Sequence, residues 1–388
     1  MRVFVFFSAA IIVLFGQVDL PGQTPRREMR GASQEHGFYL ERVVTGLEHP
    51  WAIAFLPDGT AIVTERAGRA HLLDETGLRQ LSGLPPVQAG GQGGLLDVKP
   101  HPNFHENSLL YFSYVTTGPG GSGTAIGRGR LEGLSIREWE EIFRMNRFSR
   151  GTRHFGSRLS FLPDGTLLAT LGDRGESNRA QDRKDHAGST IRIRDDGSIP
   201  DDNPWPNTPG VQPELFTWGN RNSQGMTVDR ETGRIWQTEH GPRGGDELNL
   251  IQPGRNYGWP VISHGVDYRT GQPPQEGTHH PGMEQPVLHW TPALAPSGLV
   301  LYTGEAFPGW QGNLFAGGLA GQQIRRIVLE GETVIHEEVL LDTHVGRIRD
   351  VAQAPQGFLY LVTDQRGGAI YRLTPAHGSS GQESFSEE

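Results

Sequence analysis

The sequence predicts an all-β protein, a six-bladed β-propeller whose four-stranded antiparallel blades surround a central channel. Its 388 residues include 54 glycines and 27 prolines, about a fifth of the chain, and these residues break helices but suit turns. A turn followed by a short apolar strand recurs six times, and each interval has room for three or four further short strands. Repeats of this size are typical of propeller blades, and a pair of β-sandwiches is the alternative.

The six repeats share a turn rich in Pro, Gly, Asp or Asn and the apolar strand that follows it. Their strands are expected to begin near Ala61, Leu109, Leu167, Ile235, Leu314 and Leu359. The two longest intervals, before Ile235 and before Leu314, should contain inserted loops. Residues 136–145 are compatible with a helix or with an amphipathic strand. Because loops at one end of a propeller build its binding site, polar residues beside these strands are the functional candidates.

The two ends of the chain lie outside the predicted propeller, which covers residues 37–375. One arginine followed by a largely apolar run of 13 residues predicts a signal peptide at about residues 1–16, and an uncleaved anchor is the alternative. The apolar run is too short for a stable membrane span, which needs about 20 residues. The polar composition of residues 17–36 predicts a flexible leader, and that of residues 376–388 predicts a disordered tail. The sequence therefore predicts a periplasmic or secreted protein.

Charge and cysteine content exclude several classes of function. The formal net charge of −9 argues against a nucleic-acid partner, which normally requires a basic face. The chain has no cysteine, so disulfides, thiolate nucleophiles and cysteine-ligated metal centres are excluded. Any metal site must therefore use oxygen or nitrogen ligands.

A histidine and a carboxylate form the first candidate for catalytic chemistry. The spacing places His154 and Asp173 on neighbouring strands of one blade. A histidine beside an aspartate is the arrangement of an oriented general base. The chain has 15 histidines, and an isolated one is more often a surface residue, which is the alternative reading.

Segments rich in glycine or arginine supply further candidates. Gln92 is the only side chain within residues 90–94, where glycines would let the backbone approach a ligand; a tight turn is the alternative. Arg221 lies between two asparagines and suits an anionic or carbonyl-rich ligand, with bracing of a loop as the alternative. Arg347 and Arg349 should share one face of a strand, which suggests a polyanionic ligand such as a tricarboxylate, or else a surface pair.

Acidic segments raise the possibility of calcium, which takes carboxylate and carbonyl oxygens as ligands. Residues 239–247 combine carboxylates with turns and fit this chemistry. Residues 195–197 and 201–203 are also acidic, but they lack the spacing of an EF-hand loop and are interpreted as turns.

Together these segments resemble the soluble PQQ-dependent aldose sugar dehydrogenases, relatives of soluble quinoprotein glucose dehydrogenase. The likeness extends from about residue 47 to about residue 371. The matching strings are GQGGLLDV (91–98), HFGSRL (154–159), DDGSIPDDNPW (195–205), GNRNSQG (219–225), EHGPRGGDELN (239–249), NYGWP (256–260) and RIRD (347–350). The resemblance implies a six-bladed propeller that uses pyrroloquinoline quinone (PQQ) and Ca²⁺.

The resemblance also implies a role for each matching residue. His154 resembles the general base that takes the proton of the sugar's anomeric hydroxyl, Asp173 its orienting partner, and Arg221 a group that draws electron density from the quinone carbonyl. The positions that match contacts to the quinone or its carboxylates are Gln92, Arg221, Asn222, Tyr268, Arg347 and Arg349. The carbonyls of Gly241 and Pro242 match ligands of the calcium on PQQ. Glu247 and Tyr257 match a second, structural calcium site.

The chain departs from the family in one place. A lysine usually meets the cofactor after the leucine of the fifth-blade strand, whereas here Leu319 is followed by Ala320. Gln322 and Arg325 are the candidates to replace that lysine at the cofactor.

The implied activity is oxidation of aldoses at C1 to aldonolactones, with hydride transfer to the quinone and an external electron acceptor. The expected form is a monomer or a dimer. Two alternatives remain open from the residues. One is a calcium-dependent propeller hydrolase, such as a lactonase, that uses His154 without a quinone. The other is a propeller binding module that lacks a cofactor, which Ala320 would favour.

Overall fold

The structure, a computed structural model, describes residues 25–274 and 276–376. The predicted signal peptide, the first part of the predicted leader and nearly all of the predicted tail lie outside these residues. Within the described ranges, no helix is long and apolar enough to cross a membrane.

Six antiparallel sheets form the blades of a propeller, as the sequence predicts. The chain begins with β1 (Arg26–Ala32) and β2 (Gly37–Glu48). Blade 1 contains β3 (Pro50–Phe55), β4 (Ala61–Glu65), β5 (Arg69–Asp74) and β6 (Gly77–Gln80). Blade 2 contains β7 (Leu95–Pro100), β8 (Leu109–Gly118), β9 (Gly121–Glu132) and β10 (Ser135–Arg144). Blade 3 contains β11 (Leu159–Phe161), β12 (Leu167–Leu171), β13 (Ser189–Ile193) and β14 (Leu215–Trp218).

The remaining three blades follow in chain order. Blade 4 contains β15 (Ser223–Val228), β16 (Ile235–Glu239), β17 (Asp246–Ile251) and β18 (Leu288–Trp290). Blade 5 contains β19 (Pro296–Leu301), β20 (Leu314–Gly318), β21 (Ile324–Glu330) and β22 (Thr333–Leu340). Blade 6 contains β23 (Ile348–Gln353), β24 (Leu359–Thr363) and β25 (Arg366–Pro375), joined by β2 and β1. The helices are α1 (Phe104–Asn107) and the 3₁₀ turns Ser177–Gln181 and Pro308–Trp310.

The inner strands close into a ring around the channel. β3 packs on β7, β7 on β11, β11 on β15, β15 on β19, β19 on β23, and β23 returns to β3. The ring closes because β2, from the start of the chain, pairs with β25 from its end, with Leu40 opposite Leu373. Blade 6 thereby gains a fifth strand, β1, where four were predicted.

The flexible leader predicted at residues 17–36 is corrected over its second half. β1 pairs with β2 along its length, with Arg30 opposite Tyr39. The turn that follows is fixed to blade 5, since Ser33 Oγ accepts from Trp310 Nε1 at 3.1 Å. His36 Nε2 likewise accepts from the Gly309 amide at 2.8 Å. As the outermost strand, β1 is largely exposed, so it lacks the apolar residues that identify a strand in the sequence.

The predicted strand starts are confirmed. All six predicted strand starts coincide with the first residue of the second strand in a blade, from Ala61 in β4 to Leu359 in β24. Residues 136–145, left open between helix and strand, lie almost entirely in β10. The two expected insertions are the loops at residues 194–214 and 252–287, which precede β14 and β18.

A buried ion network crosses the channel. Arg158, on the loop before β11, lies 3.2 Å from Asp97 of β7 and 3.0 Å from Asp350 of β23. Its guanidinium also lies 4.3 Å from the ring of Trp51 on β3. The Arg158 guanidinium thereby connects blades 1, 2, 3 and 6.

Candidate active site

The candidate residues converge at one end of the channel. All six inner strands run in the same direction, so the loops before them meet at the same end. Those loops contain Gln92 before β7, His154 before β11, Arg221 and Asn222 before β15, and Arg347 before β23. Asp173 joins them because it follows β12, which runs antiparallel to β11.

His154 and Asp173 form a hydrogen-bonded dyad. His154 Nδ1 lies 2.6 Å from Asp173 Oδ1. The second carboxylate oxygen, Oδ2, accepts from the indole Nε1 of Trp259 at 2.8 Å. An ionised carboxylate can only accept, so Nδ1 carries the proton and Nε2 keeps its lone pair. Both residues lie in the loops that flank the neighbouring strands β11 and β12, rather than in the strands themselves.

The surroundings of the dyad favour a neutral histidine beside an ionised aspartate. Burial lowers the pKa of His154, the bond to Asp173 opposes this, and the positive charge of Arg221 lowers the pKa further. Burial alone would raise the pKa of Asp173, but the hydrogen bonds from His154 and from the Gly175 amide outweigh it, so that pKa is lowered. His154 can therefore accept a proton at neutral pH.

Gln92 contacts the loop that carries His154. Its side-chain Oε1 accepts from the His154 backbone amide at 2.7 Å, and the Gln92 backbone amide donates to the Thr152 carbonyl at 2.9 Å. Gly91 has a φ of +58°, and a Cβ there would lie 2.4 Å from the Thr152 carbonyl oxygen. The glycine run is thus required for the close approach of two loops, and it places Gln92 beside the candidate base.

Arg221 and Tyr268 each contact one of the two carbonyls assigned to calcium by resemblance. The Arg221 side chain is 9% exposed, and Nη1 donates to the Gly241 carbonyl at 2.5 Å. The guanidinium lies 5.2 Å from the ring of Trp259. Tyr268 is 63% exposed, and its hydroxyl donates to the Pro242 carbonyl at 3.4 Å. The structure therefore brings these predicted residues to one side of the channel mouth, the end of the channel where the loops before the inner strands meet.

A second group of cations lies on the blade 6 side of the mouth. Arg349 is buried and bonded to Asp364 Oδ2 at 2.5 Å and to Gln224 Oε1 at 2.6 Å. Arg66 lies 3.4 Å from the other oxygen of Asp364. Burial lowers the pKa of Arg349, and the charges of Arg66 and Arg347 lower it further, so three cations share this region. Arg347 is exposed, in contrast to Arg349.

A different cation contacts the turn in which the family's lysine is missing. Arg347 Nη1 donates to the Leu319 carbonyl at 3.3 Å, directly before Ala320. Arg325, one of the two candidates to replace the lysine, instead pairs with Glu337 at 3.1 Å. Gln322 has a φ of +51°, and its carbonyl accepts from the Thr343 amide. Arg347 is therefore the cation that the structure places beside the altered turn.

Glu247 and Tyr257, the two residues that match a structural calcium site, have different surroundings. The Tyr257 hydroxyl donates to the Leu250 carbonyl at 2.7 Å and accepts from the Gln252 amide, so only the Tyr257 carbonyl is available to a metal. Glu247 instead lies directly opposite Glu239 on β16. Burial raises the pKa of Glu239 to about 7 and that of Glu247 to about 8, and the charge of Glu239 adds to the latter shift.

The chain also matches known proteins. Residues 47–372 match the family described as Glucose / Sorbosone dehydrogenase. The chain belongs to the glucose/sorbosone dehydrogenase family. It is 41% identical over 337 residues to aldose sugar dehydrogenase YliI of Escherichia coli K12, covering 85% of this chain and 91% of that protein.

Solved structures of relatives agree with this assignment. A crystal structure of a glucose dehydrogenase has a TM-score of 0.84 at 42% identity, covering 87% of this chain and 99% of that one. The PQQ-bound form of aldose sugar dehydrogenase from Streptomyces coelicolor has a TM-score of 0.72 at 30% identity, covering 86% and 96%. The resemblance seen in the sequence is thereby confirmed, and the chain is an oxidoreductase of the sugar dehydrogenase class.

The donor groups at the mouth fit the cofactor and metal that this family implies. Asn222 Nδ2 and Arg349 Nε are buried donors without a partner among the described residues, and they accompany several arginines, as a ligand with three carboxylates requires. The Gly241 carbonyl already contacts a cation, the Arg221 guanidinium, and carbonyl oxygens are ligands that calcium accepts. At the second site, two carboxylates and the unpartnered Asn249 Oδ1 form an oxygen-rich donor set.

Several residues of the site were not predicted from the sequence. Trp259 holds Asp173, and Asp364 holds Arg349 and Arg66. Trp259 lies inside the string NYGWP, so proximity to a motif was the available signal, whereas Glu239, which faces Glu247, lies in the acidic segment 239–247 already assigned to calcium chemistry. Arg66 and Asp364 carried no such signal, because each follows an ordinary strand.

Proposed function

We propose that this protein oxidises aldose sugars at C1 to aldonolactones, using PQQ and Ca²⁺. The observation that carries the proposal is the His154–Asp173 dyad, whose histidine is neutral and lies beside a mouth lined by arginines. Two relatives support the substrate and cofactor. The E. coli protein is named an aldose sugar dehydrogenase, and the S. coelicolor structure contains PQQ.

His154 is the proposed general base. Nε2 takes the proton of the anomeric hydroxyl, and Asp173 stabilises the resulting imidazolium through Nδ1. Trp259 and the Gly175 amide hold the carboxylate in place, so the ring keeps one orientation. When bound, PQQ would supply the acceptor for the hydride from sugar C1. General-base assistance of this kind is typically worth about 10²–10⁴ in rate.

The remaining predicted residues bind the cofactor and the metals. The arginines at positions 221, 347 and 349, with Asn222, Gln92 and Tyr268, are proposed to contact the quinone and its carboxylates. Ala320 and Gln322 line the turn where the family's lysine is missing, and Arg347 is the proposed substitute. The carbonyls of Gly241 and Pro242 are proposed to hold one calcium ion. Glu247 and the Tyr257 carbonyl, with Glu239 opposite, are proposed to hold the second.

The cellular location, the electron acceptor and the oligomeric state are also part of the proposal. The apolar N-terminal run favours export to the periplasm or the medium. Oxidation of each sugar would release two electrons, and an external acceptor would be needed to remove them. The protein is proposed to work as a monomer or a dimer.

A reconstitution experiment tests the proposal. Purified protein is mixed with PQQ and Ca²⁺, and reduction of a small redox dye is followed with glucose and other aldoses. Dye reduction is expected only when the protein, PQQ, Ca²⁺ and an aldose are all present. Absence of dye reduction with every aldose would contradict the proposed function. Lactone hydrolysis without PQQ would instead support a hydrolase, and sugar binding without turnover would support a binding module.

A further inference from the structure

Arg174, the residue after Asp173, is a buried cation without an acidic partner. Its side chain is 1% exposed, and no carboxylate of the described residues lies within 4.0 Å of its guanidinium nitrogens. Burial lowers its pKa to about 10. An unpaired buried charge is costly, so other groups must compensate for the lost water.

Most of the compensating groups belong to the loop that carries His154, and the remaining one is Ser122 Oγ of β9, which accepts from Nη2 at 3.4 Å. Nη1 donates to the Arg153 carbonyl and, at 3.4 Å, to the His154 carbonyl. Nη2 donates to the Gly151 carbonyl. The guanidinium carbon lies 3.4 Å from the centre of the Phe155 ring. One side chain therefore contacts four of the five residues from 151 to 155.

This loop has an unusual backbone that needs external support. His154 has a φ of +56°, and Gly156 and Ser157 have φ values of +62° and +85°. Non-glycine residues in the left-handed region are disfavoured unless their surroundings hold them there. Gly172 lets the loop lie against the end of blade 3, since a Cβ there would lie 2.1 Å from the His154 carbonyl oxygen.

We infer that Arg174 is a positioning residue for the catalytic base. It fixes the backbone of His154 through the loop carbonyls, while its neighbour Asp173 fixes the imidazole ring. Two consecutive residues thus hold the base at two points, which sets both the place and the direction of Nε2. The inference rests on the proposed role of His154 in the proposed function.

The test replaces Arg174 by glycine. Glycine suits the φ of +60° at this position, and the change leaves space for a free guanidinium ion. With PQQ and Ca²⁺, kcat for an aldose is expected to fall by about 10–100-fold, because misplacement of a reacting group by about 1 Å has effects of this size. KM should change little. Millimolar guanidinium chloride, far below denaturing concentrations, should restore part of kcat.

Arg326 offers a matched control. It is also almost fully buried, but it pairs with Glu338 at 2.8 Å in blade 5, away from the mouth. Arg326→Gly should lower the thermal stability, leave kcat unchanged and show no response to guanidinium. Should Arg174→Gly fail to fold, Arg174→Gln retains a polar donor and part of the apolar stem in the buried space, and it is expected to show the same loss of kcat.

Hydrogen exchange gives a readout that does not depend on turnover. Peptides that cover residues 151–155 should exchange faster in Arg174→Gly than in the native protein, and guanidinium should slow them again. Unchanged exchange in these peptides, or native kcat in a folded Arg174 variant, would overturn the inference. If the native protein oxidises no aldose, the proposed function fails, whereas the exchange measurement still decides whether Arg174 positions the loop.

Discussion

At the scale of single residues, opposing effects set the chemistry of His154. Burial and the charge of Arg221 favour the neutral imidazole, whereas the bond to Asp173 favours the charged form. The balance leaves a base that is neutral in the resting protein but has a carboxylate ready to stabilise its protonated form. This combination is what proton abstraction requires.

Replacement of the base tests its role directly. His154→Gln is expected to fold normally and to lose about 10²–10⁴ in kcat, the usual contribution of a general base. Thermal denaturation and dye-coupled turnover measure the two properties. His105→Gln, at an exposed position in α1, is the control and should keep full activity. Native turnover by His154→Gln would rule out its role as the base.

The pH dependence follows from the lowered pKa of His154. The proposed base can accept a proton only when it is neutral, so kcat/KM should fall on the acidic side as the imidazole becomes protonated. Because the pKa is lowered from 6.5, the midpoint of that fall should lie below pH 6.5. Measurement of kcat/KM across the acidic and neutral range checks this. A midpoint above pH 6.5 would contradict the assigned environment.

At the scale of elements, the two N-terminal strands contribute very differently. β2 buries Phe38, Leu40 and Leu47 and closes the ring by pairing with β25. β1 adds a largely exposed outer strand, and the turn after it contacts blade 5. Ring closure therefore depends on β2, while β1 covers an edge that would otherwise present unpaired backbone groups.

Truncation should separate these two contributions. A protein that begins at residue 33 lacks β1 and is expected to fold with a modestly lower melting temperature. A protein that begins at residue 49 lacks β2 as well, so blade 6 cannot join the ends of the chain, and it should fail to fold. Circular dichroism and thermal melting of the two proteins distinguish the cases. Equal stability of both would show that β2 does not close the ring.

At the scale of the whole molecule, the propeller gathers distant parts of the chain at one end of a channel. The network of Asp97, Arg158 and Asp350 crosses the channel and connects blades on different sides. The residues of the mouth extend from Arg66 to Asp364 in the sequence, yet they share hydrogen bonds. A rigid ring is well suited to hold such groups in fixed positions.

Calcium should stabilise the protein as a whole. Binding between Glu239 and Glu247 would offset the repulsion of two buried carboxylates, and a ligand at about 100 times its Kd stabilises by about 2.7 kcal/mol. The melting temperature without PQQ is therefore expected to rise with Ca²⁺ and to fall with a chelator. Glu247→Gln should lose most of this shift, whereas Glu332→Gln, an exposed control, should keep it. An unchanged shift in Glu247→Gln would place the ion elsewhere.

Much of the site was predictable because its residues lie in short, distinctive strings. His154, Asp173 and Arg221 were identified this way, and the structure brings them together. Asp364 and Trp259 were not assigned, since their partners lie 15 and 86 residues away in the chain. Local patterns do not report contacts of that range. Arg174 was missed for a similar reason, because its burial depends on a loop 20 residues earlier.

The sequence by itself determined the all-β class, the six repeats and the starts of six strands, because turn residues and apolar runs are local signals. It also determined the family, since several strings match together. Only the tertiary structure decided that β1 is a strand, that Arg347 lies beside the altered turn, and that Arg174 holds the His154 loop. Each of these depends on a partner from another strand or loop. The contacts form when neighbouring strands pair, for β1 and for the two loops of blade 3, and when blades 5 and 6 pack together, for Arg347.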